Sequence, residues 1–153
     1  MKNLSSPPIT SYSVIIFLDN RFKFHFDQVL PFFESGFFPA KDTLLVSRYY
    51  WSSYWRTRKL ADQLGLRTLF YKHPREIPHF QGALIFYPYN GQSNARMLLN
   101  RDSRHIFLTH GESNKKATIN RMVRIYDHVL AAGDIARDRY RDYGIFSGAD
   151  LQE

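Results

Sequence analysis

Apolar residues along this chain gather into short unbroken runs, and between the runs they recur every three or four positions. The runs lie at residues 12–18, 43–47, 66–71, 83–87, 105–109 and 128–132. Each has strand length and is rich in β-branched or aromatic residues. Because the runs are continuous rather than alternating, they predict strands buried on both faces. Asp19-Asn20 closes the first run with turn-forming residues, and Asn90-Gly91 marks a turn after the fourth.

The intervening segments predict helices. Over 24–34, Phe26, Val29, Leu30 and Phe33 share a helical face, with Pro31 set to kink or shorten the element. Ser52 or Ser53 is placed to cap a second helix that carries Leu60, Ala61 and Leu64 inward and stops at Gly65. His73-Pro74 and Ile77-Pro78 disfavour regular structure. A short helix is expected over 92–99. Another starts at Lys115, with Ile119, Met122, Val123 and Tyr126 on one face. Asp134 is expected to cap the last, which runs to about Tyr143 before Gly144. Strand and helix alternate throughout, so the expected fold is a single Rossmann-like α/β domain: a parallel sheet of about six strands with helices on both faces. The expected limits are an N-terminal tail at 1–11, the domain at 12–146, and a polar tail or linker at 147–153.

Composition narrows the chemistry. A chain of 153 residues accommodates one such domain, and its 44% hydrophobic and 16% aromatic content argue against disorder. With no cysteine, disulfides and thiolate nucleophiles are excluded, and a reducing, cytoplasmic setting is expected. His25, His73, His79, His105 and His128 show no metal-ligand spacing, so no metal is assigned. No cofactor is assigned either, since no Gly-x-Gly-x-x-Gly follows the first strand and no phosphate-loop lysine motif occurs. The N-terminus does not read as a signal peptide, and no run of apolar residues is long enough to span a bilayer as a helix. The formal charge of +7 favours anionic partners without choosing among them.

Ligands of open parallel sheets bind beyond the carboxyl ends of the strands. The segment from His110 to Lys115 occupies such a place, directly after the fifth run. His110 offers an imidazole that can take a proton from an attacking hydroxyl. Gly111 allows close backbone approach, Ser113 supplies a hydroxyl, and Lys115 and Lys116 bring positive charge to a helix start, where a nearby anion relieves the repulsion. Blander readings stand beside these: a hydrogen-bonded strand-end histidine and two solvated lysines. Tyr49, Tyr50, Trp51, Tyr54 and Trp55 can stack on rings or mark a partner surface, although part of the group is expected in the core. Arg56, Arg58 and Lys59 read as a solvated helix face. Arg137, Arg139 and Arg141 alternate with Asp134, Asp138 and Asp142 as surface ion pairs, and Asp127 reads as a cap or solvated residue, with orientation of a neighbouring histidine as the alternative.

The stretch from His105 through His110-Gly111-Glu112-Ser113-Asn114-Lys115, followed by Tyr126-Asp127-His128-Val129, Gly133, Arg139-Tyr140 and Gly144, resembles the acceptor-side domain of CDP-glycerol glycerophosphotransferases. Those enzymes build teichoic-acid and capsule-type polymers. The specific part covers 103–146. Many relatives read His-Gly-Thr-Pro, whereas Glu112, Ser113 and Asn114 intervene here. The resemblance implies the first domain of a type-B glycosyltransferase-like pair, linked at 147–153 to a donor-binding domain that this chain lacks and without which it is inactive. It implies that His110 deprotonates an acceptor hydroxyl, which attacks the phosphorus next to glycerol and expels CMP. Ser113 and Lys115 then position the acceptor or the migrating group. The implied partners are a CDP-glycerol-type donor and an anionic or sugar-like polymer, with association at the inner face of the cell membrane and no nucleic acid. The alternative reading is a basic nucleic-acid-binding or non-catalytic interaction domain.

Overall fold

In the computed structural model, which describes residues 8–19, 26–108, 120–147 and 150, each unbroken apolar run forms a strand. These are β1 (Val14–Leu18), β2 (Thr43–Arg48), β3 (Arg67–Tyr71), β4 (Leu84–Tyr87), β5 (Arg104–Leu108) and β6 (His128–Leu130). All pair in parallel, in the order β3-β2-β1-β4-β5-β6. Val14 faces Thr43 on one side and Leu84 on the other, so the direction of winding reverses between β1 and β4. This is the strand order of a doubly wound Rossmann-like sheet, with its switch point at the carboxyl end of those two strands.

The period-two geometry of a strand divides β1 between two cores. Ile15 and Phe17 join Met97, Val123, Tyr140 and Ile145 on one face. Ile16 and Leu18 join Phe26, Val29, Phe38, Ala61 and Leu66 on the other. The second face is covered by α1 (Leu30–Glu34) and α2 (Trp51–Gln63), and the first by α3 (Asp134–Asp142) with short 3-10 turns. No helix among the described residues is long and apolar enough to cross a membrane.

Local chemistry moves several boundaries. The first helix spans only Leu30–Glu34, with Pro31 in its opening turn; Phe26 and Val29 reach the core from the turn before it. The second is not capped by Ser52 or Ser53. Tyr50 is its N-cap, no side chain caps it, and Ser53 lies buried inside the first turn. Its fully buried stripe is Ser53, Thr57 and Ala61, small residues spaced by four that let the helix approach the sheet closely, while Leu60 and Leu64 are half-buried. Gly65 ends it at φ +69, with Leu66 N–H donating to Ala61 O at 2.9 Å and Gly65 N–H to Asp62 O at 3.1 Å, a Schellman closure.

The helix expected over 92–99 is a 3-10 turn at Gln92–Arg96. The described part of the helix expected from Lys115 is likewise a 3-10 turn, Arg121–Ile125, with Asn120 Oδ1 accepting from Met122 N–H at 3.0 Å. Val123 and Tyr126, three apart, are buried, and Ile125 between them is exposed. Strand β6 stops at Leu130, two residues short of the apolar run. Gly133, not Asp134, is the N-cap of α3; its φ of 145° and ψ of −174° belong to a region that is essentially glycine's alone. Asp134 is the first helical residue, where its charge suits the helix N-terminus, and it pairs with Arg137 at 3.2 Å. Arg141 pairs with Asp138 one turn on.

Candidate functional site

The residues that leave β1, β3 and β4 at the carboxyl edge meet in one polar cluster at the switch point. Asp19 stands two positions beyond Phe17, and its main-chain N–H donates to the Tyr89 hydroxyl at 2.7 Å. That hydroxyl also bonds Ser93 Oγ at 2.9 Å. Arg96 Nη1 lies 3.6 Å from Asp19 Oδ2, an ion pair with little solvent around the carboxylate. Tyr71, from the end of β3, lies close enough to feel both charges: burial pushes its phenol up, Asp19 adds to the rise, and Arg96 opposes it. Tyr89 is likewise pushed up, first by burial. Both phenols therefore remain neutral and act as hydrogen-bonding hydroxyls.

Asn94 ties this edge to the β5–β6 half of the sheet. Its Nδ2 donates to Tyr89 O at 2.7 Å and to the Tyr126 hydroxyl at 2.6 Å. Turning the amide over would set oxygen against the Tyr89 carbonyl, so these contacts fix its orientation. Tyr126, whose phenol burial pushes up to about 12, donates in turn to Asn90 Oδ1 at 3.4 Å. Tyr71 Oη, Asn90 Nδ2 and Asn94 Oδ1 are buried with no hydrogen-bond partner among the described residues.

Cations and rings continue the edge toward β2 and β3. The Arg48 guanidinium lies 5.1 Å from the Tyr50 ring centroid, and Lys72 Nζ lies 5.0 Å from that of Tyr49. Tyr54 packs on Phe70 with ring centroids 4.7 Å apart. The group divides: Tyr49, Tyr50 and Tyr54 are half-buried, whereas Trp51 and Trp55 are 73% and 65% exposed. Helical periodicity explains their exposure, because the face turned to the sheet is the small-residue stripe two positions on, roughly 200° round the helix. Arg56, Arg58 and Lys59 are exposed, as expected of a solvated helix face, and Arg56 and Arg58 form surface pairs with Asp27 at 2.8 Å and Asp62 at 3.0 Å.

His110, Gly111, Ser113, Lys115 and Lys116 lie at 109–119, outside the described residues. The described residues on either side are Leu108, at the end of β5 on the carboxyl edge, and Asn120. The Asp19–Tyr89–Ser93–Arg96 cluster went unread in the sequence, where Asp19 and Asn90 counted only as turn residues. The signal available was position, since Asp19 directly follows β1 and the other three lie within nine residues of the end of β4. Among the described residues no three His, Asp or Glu gather as metal ligands.

His105 has a purely architectural place. Its Nε2–H donates to Asn100 O at 3.1 Å, which leaves Nδ1 to accept from the Tyr87 hydroxyl at 2.7 Å. Asp127 Oδ2 accepts the His105 main-chain N–H at 2.7 Å, holding β5 to the start of β6 rather than capping a helix. Desolvation lowers the imidazole below its ordinary 6.5. Between the two values the unfolded chain binds a proton that the folded chain does not, so stability is complete above pH 6.5 and declines as pH falls from 6.5 to the lower folded value. Thermal melting from pH 7.5 to 5.0 is expected to show this loss, and His105→Gln is expected to flatten that part of the profile while lowering stability at pH 7.5. An unchanged slope in the variant would assign the loss to other groups.

Compared with protein-family models, with curated proteins and with solved structures, the chain matches none.

Proposed function

We propose that this chain is the acceptor-side domain of a transferase that moves glycerol phosphate from CDP-glycerol to a hydroxyl of an anionic or sugar-like polymer, acting together with a donor-binding domain. The observation that supports the reading is that β5 ends at Leu108 on the carboxyl edge, two residues before His110 in the sequence, in a sheet whose switch point gathers Asp19, Arg96, Tyr89 and Asn94. The resemblance of 103–146 to glycerophosphotransferases supplies the reaction class.

In this reading His110 takes the proton of the acceptor hydroxyl as its oxygen attacks the phosphorus bonded to glycerol, and the bond to CMP breaks in line. Gly111 allows the acceptor close to the backbone, Ser113 and Lys115 position it, and Lys116 adds to the field that favours an anionic chain. Phosphoryl transfer depends chiefly on positioning and charge, so this domain alone is expected to be inactive.

Incubation with glycerol-labelled CDP-glycerol and oligomeric poly(glycerol phosphate) tests the proposal. Label is expected to enter polymer, with one CMP released per unit added, only when a donor-binding domain is supplied. CMP release without polymer growth, or growth from a donor other than CDP-glycerol alone, would refute it.

A further inference from the structure

Trp51 and Trp55 stand one turn apart on the opening of α2, about 6 Å along the helix axis. Exposures of 73% and 65% leave most of both indoles in solvent, an unusual cost for the side chain with the largest apolar surface. The Trp55 ring is nevertheless held in place. Trp55 packs edge-on against Tyr54 at 5.1 Å, Tyr54 against Tyr49 at 5.0 Å, and Tyr54 against Phe70 of β3 at 4.7 Å. An ordered aromatic shelf therefore runs from the carboxyl edge along the outer face of α2.

Cations border the shelf. Lys72 lies over Tyr49, Arg48 over Tyr50, and Lys59 follows Trp55 by four residues, on the same helical face. No carboxylate comes within ion-pair distance of Arg48, Lys59 or Lys72 among the described residues; the nearby Glu76 accepts the Lys72 main-chain N–H at 2.8 Å instead. Arg56 and Arg58 are paired with Asp27 and Asp62. The surface thus offers flat apolar faces with a few separated positive charges rather than the continuous basic track that nucleic-acid backbones use.

We propose that this shelf binds an anionic polyol-phosphate chain, with C–H faces of the polyol units against Trp51 and Trp55 and phosphodiester oxygens paired with Arg48, Lys59 and Lys72. The identity of the occupant rests on the function proposed above. The shelf then holds a length of acceptor chain beyond the reacting end and leads it to the carboxyl edge.

The sequence contains two tryptophans, both in the shelf, so tryptophan emission of the full chain reports on this surface alone. Titration with poly(glycerol phosphate) oligomers is expected to give a saturable blue shift, with affinity falling at least fivefold between 50 and 200 mM salt as phosphate contacts are screened. Trp51→Ala, followed through Trp55, and Trp55→Ala, followed through Trp51, should each weaken binding about tenfold with melting unchanged, and the phenylalanine variants should keep most of it. Lys72→Gln should shallow the salt dependence. No spectral response at saturating polymer, an equal response to a neutral glucan, tighter binding of a single-stranded oligonucleotide at the same salt, or self-association that buries the indoles would each overturn the proposal. Transfer with no emission change removes the shelf and leaves the enzyme; emission change without transfer removes the enzyme and leaves a polymer-binding surface.

Discussion

Alanine at His110 is expected to lower glycerol phosphate transfer by about 10²- to 10⁴-fold when the donor-binding domain is present, the range that loss of a positioned general base produces. Polymer binding at the α2 shelf should remain within twofold, because no contact proposed there involves His110. The wild type should show an acidic limb in its rate profile, since only the neutral ring accepts a proton. The variant should lack that limb, its residual rate reflecting positioning and charge alone. Steady-state transfer over pH 5 to 9 makes the comparison. Wild-type turnover in the alanine variant, or an acidic limb that survives in it, would remove His110 from the chemistry.

Phe17→Ala carries the largest expected effect on folding, about 3–5 kcal/mol. Phe17 is fully buried, with Tyr71 stacked 6.0 Å from its ring centroid and Tyr87 edge-on at 5.9 Å. It therefore bridges β1 to the ends of β3 and β4, beneath the polar cluster. Removing the ring leaves a cavity walled by two tyrosines whose hydroxyls are tied elsewhere or buried, so the site collapses poorly. Melting should fall by roughly 10–15 °C, and Phe17→Leu, which keeps most of the volume, should lose about 1 kcal/mol. Denaturant unfolding measures both; a loss under 1 kcal/mol for the alanine variant would mean that Tyr71 and Tyr87 repack without it.

Much of the architecture could be read from one dimension, because its determinants are local. An unbroken run such as Val14-Ile15-Ile16-Phe17-Leu18 has no stable place except a strand covered on both sides, and Gly65 and Gly144 mark helix ends through a backbone conformation that other residues avoid. The candidate site was less legible. Asp19, Tyr89, Ser93, Arg96 and Asn94 are separated by up to 77 positions and match no motif; they meet because β1 and β4 pair. The exposure of Trp51 and Trp55 was also hidden, since their four-residue spacing is compatible with either side of a helix and only the sheet's position selects the Ser53–Thr57–Ala61 side for burial. Helix type over 121–125 failed for a related reason: three- and four-residue spacings coexist in so short a segment, and the buried pair Val123 and Tyr126 is satisfied by a 3-10 turn.

The sequence by itself determined the layered α/β class, the number of strands, the absence of thiol chemistry and the excess of positive charge, since each follows from composition or from apolar periodicity within a few residues. Only the tertiary structure decided the strand order, the switch point between β1 and β4, the polar cluster above it and the outward turn of the two indoles. Those features depend on which distant segments pair and which helical face meets the sheet, and hydrophobic burial summed over the whole domain makes that choice.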